Sequence, residues 1–148
     1  MTAVAVIDTN VLVHCHDWRE PEKQRRARDF VRRGMPDHEL VLTWQSLVEF
    51  VSVTTTARRG REPLLTLHDA RLECEALLTQ FPCLFPDERT LDIAIGGQAR
   101  YDLPWFDAIL WAHAEQAEAG TLVSEDFQHG RTYGKVRVVN PFVPEAQP

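Results

Sequence analysis

No apolar stretch in this chain approaches the length needed to cross a membrane, so a membrane-spanning protein is not expected. The start, Met1-Thr2-Ala3-Val4, carries no basic residue, and its apolar run stops at Asp8. A secretory signal is therefore not expected, and the default location is the cytoplasm. Cysteine is scarce. Cys15, Cys74 and Cys83 are odd in number and lack Cys-x-x-Cys spacing, which argues against a disulfide framework or a cysteine zinc site. The six histidines, His14, His16, His38, His68, His113 and His129, never share a helix at ligand spacing, so no histidine zinc site is expected either. No triad-like arrangement suggests a serine or cysteine nucleophile. There is no internal repeat, low-complexity tract or Pro/Gly/Ser linker, and 148 residues suit one domain with its own core.

What is abundant is acid. The formal net charge is −6, which by itself argues weakly against a nucleic-acid partner. The charge is uneven: residues 19–61 hold ten Lys/Arg against six Asp/Glu, leaving the remainder strongly acidic. Arg19, Lys23, Arg25, Arg26, Arg28, Arg32 and Arg33 read first as a solvated helix face. With Arg58, Arg59 and Arg61 they are also a possible track for an RNA backbone. Divalent cations bound among the acids would offset much of the negative charge, so a nucleic-acid substrate stays open.

The patterning predicts strands alternating with helices. Ala3–Ile7 is a β-branched, wholly apolar run, as a buried parallel strand requires. Further strands are expected at 40–43, 83–85, 121–124 and 136–139. Helices are expected at about 10–15, 20–33 (stopped by Gly34), 43–59 (closed by Gly60), 65–80, 86–101 and 104–119. Trp18 is the tryptophan expected at the surface, with Trp44, Trp105 and Trp111 mostly in the core. The alternation implies a three-layer α/β domain with a mostly parallel sheet. Functional crevices in such domains lie beyond the carboxyl ends of the strands.

Four acids fall on that side. Asp8 ends Val6-Ile7-Asp8-Thr9-Asn10, and Glu49 lies two turns into the helix after the second strand. Asp107 heads a stripe of Leu110, Trp111 and Ala114, and Asp126 follows the strand ending at Ser124. Carboxylates beside apolar runs are costly unless a cation or donor satisfies them. Converging, they would make an oxygen-only pocket suited to Mg²⁺ or Mn²⁺. Each has a plainer reading: Asp8 as a helix cap, Glu49 with Ser46 as a capping box, Asp107 as a helix-dipole partner, and Asp126 with Glu125 as a solvated turn pair. Thr43 is the better cap by position, which frees Glu49. Only one of Glu125 and Asp126 is expected to face the crevice, with Asp126 preferred. His129 is a weaker candidate for contact with a phosphate.

Asp-Thr-Asn after the first strand, Ser-x-x-Glu in the helix after the second, Asp-Ala in a late helix and Ser-Glu-Asp-Phe-x-x-Gly after the next strand resemble the PIN-domain ribonucleases. The compact toxins of the VapC type, from bacterial toxin–antitoxin systems, are the most similar. The ordered set runs from Val4 to about Val139. The resemblance implies a single PIN domain over residues 1–148, an α/β/α Rossmann-like fold with a five-stranded parallel sheet of order 3-2-1-4-5. It implies a Mg²⁺-dependent (Mn²⁺ possible) endoribonuclease leaving 5′-phosphate and 3′-hydroxyl ends. Asp8, Glu49, Asp107 and Asp126 match the family's metal-binding acids. Ser124 matches a hydroxyl that orients them, and Asn10 matches the residue that holds the carboxylates. Glu125 is an additional acid of no assigned role. An RNA substrate, a cognate antitoxin inserting an Arg or Lys, and a homodimer contact through the last helices are likewise implied. Two rival readings exist: a silent PIN-like module that binds RNA or protein without cleaving, and an aspartyl-phosphate phosphatase. The phosphatase would need Asp-x-Asp where the chain has Asp8-Thr9-Asn10.

Overall fold

The structure, a computed structural model, describes residues 2–144. Its elements in chain order are β1 (Ala3–Ile7), α1 (Thr9–His14), α2 (Pro21–Arg33), β2 (His38–Thr43), α3 (Trp44–Thr55), α4 (Leu67–Gln80), β3 (Cys83–Leu84), α5 (Glu88–Tyr101), α6 (Trp105–Gln116), β4 (Thr121–Val123), β5 (Thr132–Tyr133) and β6 (Val136–Val139). The sheet order is β3-β2-β1-β4-β6-β5. All pairings are parallel except β5 with β6.

β1 lies between two parallel neighbours, so both its faces are covered, which is why Ala3–Ile7 shows no polar alternation. Successive side chains still point to opposite faces. Ala5 and Ile7 join Val11, Leu12, Leu47, Phe50 and Leu77 beneath α1–α4. Val6 joins Ala108, Trp111, Leu122 and Val138 beneath α5 and α6. Those two cores make the three layers.

Six strands replace the expected five. The five parallel ones keep the expected spatial order, with Val136–Val139 in the fifth place. The extra strand is a two-residue edge, Thr132–Tyr133, turned back through Gly134-Lys135. Gly134 has φ 62°, the conformation a two-residue hairpin needs at its first central position.

Helix ends also moved. α3 stops at Thr55 rather than near Arg59: Thr56 is already extended, at φ −104° and ψ 128°, at the end of a β-branched, poorly helical run. Residues beyond it form a tight Arg58–Arg61 bridge. α4 begins at Leu67, capped by Thr66, and α6 ends at Gln116. Trp44 is half-exposed and stacks on Phe85 with centroids 5.7 Å apart, so it is not a core residue. No helix among the described residues is long and apolar enough to span a membrane.

Candidate metal centre

The register of the central strands sets the site. Ile7 lies opposite Val123, so the residues that follow, Asp8 and Ser124, emerge side by side at the carboxyl edge. The ladder continues one step past the strands: Asp8 N donates to Val123 O at 2.9 Å and Ser124 N to Val139 O at 3.0 Å. Both residues are therefore fixed by backbone before their side chains are considered. On β2, Thr43 ends the strand and caps α3 directly, accepting from Ser46 N at 3.0 Å. Ser46 Oγ then donates to Ile7 O, tying the start of α3 to the end of β1. The capping-box alternative for Glu49 is thereby removed. Glu49 is free to face the crevice from the second turn of α3, and Asp107 does so from the first turn of α6.

All four acids line one cavity of about 270 Å³, together with Thr9, Asn10, His14, Gln45, Phe106 and Glu125. A hydrogen-bond web holds Asp8, Glu49 and Asp126 at fixed positions, while the Asp107 carboxyl takes no part in it among the described residues. Asp8 Oδ1 accepts from Thr9 N at 2.6 Å, and Oδ2 accepts from Ser124 Oγ at 2.6 Å and Asn10 Nδ2 at 3.1 Å. Asn10 Nδ2 also reaches Asp126 Oδ2 at 3.0 Å, and Ser124 Oγ accepts from Asp126 N at 3.1 Å. Glu49 is gripped by Thr9 Oγ1 at 3.1 Å and Gln45 Nε2 at 2.7 Å. Gln45 Nε2 also donates to Phe106 O, linking α3 to α6.

The site is electrostatically crowded. Burial, with the charges of Asp126 and Asp107, pushes Asp8 up to about 7, against the opposing hydrogen bonds from Ser124 and Thr9. Burial, with Asp126 and Glu49, pushes Asp107 up to about 6. No Lys or Arg lines the cavity among the described residues. An all-oxygen donor set with two acids held reluctant to ionise, and no internal cation, fits a hard divalent ion supplied from outside.

Glu125 and Asp126 both line the cavity, where only one was expected. They differ in partners. Burial of Glu125 is outweighed by hydrogen bonds from Lys23 and His14, both at 2.7 Å, which hold its carboxyl below the usual range. Asp126 sits exposed at the mouth. His129 is not part of the site: its Nδ1 accepts from Asn140 N, and it lines a different cavity. The arginines of α2 are mostly committed to their own surroundings: Arg25 and Arg26 to Glu22, Arg32 to Asp29, and Arg28 to Cys15 O. A larger cavity, about 710 Å³, lies among these same residues and gathers no set of unpaired acids. Sequence reasoning missed Thr9, Gln45 and His14 as site residues. Only Gln45 left a usable signal, lying four residues before Glu49 on the same helix face.

The sequence matches the PIN domain family over residues 5–135. This chain belongs to the PIN domain family. No curated protein sequence matches it. Among solved structures, this PIN domain is similar to a toxin–antitoxin complex from Klebsiella pneumoniae, at 17% identity and TM-score 0.67 over 93% of this chain and 97% of that one. It is similar to VapBC2 from Rickettsia felis bound to a DNA fragment from its promoter, at 9% identity and TM-score 0.62 over 91% and 96%. It is similar to Mycobacterium tuberculosis VapC20, a sarcin-ricin loop cleaving toxin, at 14% identity and TM-score 0.60 over 80% and 86%. At these identities the likeness is one of fold.

Proposed function

We propose that this single PIN domain is a Mg²⁺-dependent endoribonuclease toxin of the VapC type, held inactive by a cognate antitoxin. The observation that carries the reading is the convergence of Asp8, Glu49, Asp107 and Asp126, drawn from four separate elements, on one cavity at the carboxyl edge of a PIN-domain sheet. The neighbouring structures support it, since they include toxin–antitoxin complexes and a sarcin-ricin loop cleaving toxin.

Asp8, Glu49, Asp107 and Asp126 would hold the cation, with Mn²⁺ able to replace Mg²⁺. When bound, such an ion makes water nucleophilic near neutral pH and offsets charge building on the phosphate. The chain's own residues prepare the place. Ser124, Asn10 and Thr9 N fix both oxygens of Asp8, and Thr9 and Gln45 fix Glu49, so the carboxylates need little reorganisation. Phe106, on the cavity rim and 67% exposed, offers a ring on which an unpaired RNA base can stack. The antitoxin would lie in the apolar groove of about 350 Å³ between α3 and α4, lined by Trp44, Val48, Leu67 and Leu78. From there a basic side chain could enter the acid cavity. Two copies would associate through the last helices, where Leu91 and Ile95 of α5 are exposed.

The test is RNA cleavage by the purified chain. Cutting should require Mg²⁺ or Mn²⁺ and stop with EDTA. Asp8→Asn should lower it by about 100-fold or more, equivalent to roughly 2.7 kcal/mol of lost transition-state stabilisation. Undiminished cleavage by that variant, with folding intact, would reject the mechanism.

A further inference from the structure

We propose that His14, Asp17 and Glu20 form a second metal site, beside the four-acid cavity whose wall His14 shares, and selective for a transition-metal ion such as Zn²⁺. The three are spaced three residues apart, from the last residue of α1 to the residue that precedes α2. Asp17 N donates to His14 O at 3.2 Å and Glu20 N to Asp17 O at 3.3 Å. Two consecutive three-residue turns place residues i, i+3 and i+6 on one side of the chain. One ligand atom from each residue lies within 4.8 Å of the others.

The imidazole shows which ligand this corner lacks. The His14 side chain is 9% exposed, and its Nε2 lies 2.7 Å from Glu125 Oε1. A carboxylate only accepts, so the Nε2 proton is fixed by that contact and Nδ1 faces the other way. Nδ1 is buried with no hydrogen-bond partner. Its nearest carboxylate oxygen, Glu20 Oε2, is 3.7 Å away, too far for a hydrogen bond. The separation instead suits two ligands of one ion: bonds of about 2.0–2.1 Å in a tetrahedral shell put donor atoms roughly 3.4 Å apart.

Asp17 spends Oδ1 on the backbone and side chain of Arg19, at 3.1 and 2.9 Å, which leaves Oδ2 without a donor among the described residues. Glu20 is half-exposed and can close by side-chain rotation. One imidazole and two carboxylates suit Zn²⁺ better than Mg²⁺, which takes oxygen ligands. The Glu125–His14 contact is the carboxylate–histidine pairing that commonly backs a histidine ligand and makes it more basic. Glu125 then joins the two sites, since it also lines the four-acid cavity.

Zn²⁺ titration by calorimetry, with long-range ¹H–¹⁵N NMR of the imidazoles, tests the site separately from nuclease activity. Asp8→Asn weakens Zn²⁺ uptake at the four-acid cavity and serves as the background. In it, one Zn²⁺ should still bind, and Glu20→Gln should weaken that binding at least tenfold. The His14 Nδ1 resonance should move with Zn²⁺ and not with Mg²⁺. Zn²⁺ affinity within twofold of the background after Glu20→Gln, or a His14 ring found doubly protonated and unmoved by Zn²⁺, would overturn the proposal.

Discussion

Asp8 and Asp107 carry the electrostatic cost of the site, and the sign of that cost can be worked out. An aspartate ordinarily loses its proton near 3.8, but in the fold Asp8 holds on until about 7 and Asp107 until about 6. Between those values the folded chain binds more protons than the unfolded one, so metal-free stability falls as pH rises from about 4 to 7, then levels off. His113 gives the opposite slope, because burial lowers its pKa. Subtracting a variant cancels it. Asp107→Asn removes the charge, and no hydrogen bond of the Asp107 side chain stands to be lost among the described residues. In EDTA at pH 8 it should gain on the order of 1–2 kcal/mol after allowance for solvent screening, a few degrees in Tm. The gain should vanish near pH 4, and Mg²⁺ should reverse its sign at pH 8 by stabilising only the wild type. A Tm difference that does not vary with pH between 4 and 8 would contradict this account. The four acids were legible because each stood against apolar neighbours where a charge needs a reason. Thr9 and Gln45 were not, because a neutral side chain gives no such contrast and their value appears only once Glu49 is in place.

At the scale of elements, the order of strands and helices was legible from periodicity and from Gly and Pro stops, while several ends were not. β5 escaped because two residues, Thr132 and Tyr133, are too few to show alternation; the one available hint was Gly134 before Lys135. The α3 end was overrun because Gly60 looked like a stop, when the β-branched run of residues 53–56 had already left the helix after Thr55. The packing of α5 on α6 is another feature that sequence alone did not reveal. Gly96 and Gly97 look alike in the sequence, yet a Cβ on Gly97 would lie 2.1 Å from Trp111 Cζ3, whereas one on Gly96 would meet nothing within 4 Å. Trp111 cannot easily move, since its Nε1 donates to Tyr133 O at 2.9 Å. Gly97→Ala should therefore destabilise by about 2–3 kcal/mol through overpacking. Gly96→Ala should stabilise by up to about 1 kcal/mol through helix propensity and unfolded-state entropy. Denaturant unfolding of both variants checks the pair, and equal effects would mean that α5 does not seat on Trp111 as described.

Over the whole molecule, the convergence of the site follows from topology. Parallel strands joined by helices bring every β-to-α junction to one edge, so acids far apart in sequence meet without any local signal. The same topology leaves the α3–α4 groove on another surface, where Trp44 is 47% exposed, Leu67 68% and Leu78 46%. A mainly apolar groove of that kind, with only Arg71 and Glu75 charged among its lining residues, is separate from the acid site and suits the docking proposed for it. If an antitoxin helix occupies it, a charge placed there should weaken inhibition and leave chemistry alone. Leu78 suits the test because it projects from α4, which contributes no residue to the acid cavity. Leu78→Glu should leave Mg²⁺-dependent RNA cleavage by the free chain within twofold of wild type. It should raise the Kd for the proposed antitoxin by at least about tenfold, the loss of roughly 1.4 kcal/mol expected from burying an unpaired acid in an apolar contact. Co-expression gives the cellular readout: the partner should restore growth against the wild-type chain and fail against the variant. Full rescue of the variant, with binding unchanged, would place the partner on some other face. No effect of the wild-type chain on growth would remove the toxin reading while leaving the metal centre to be judged on cleavage alone.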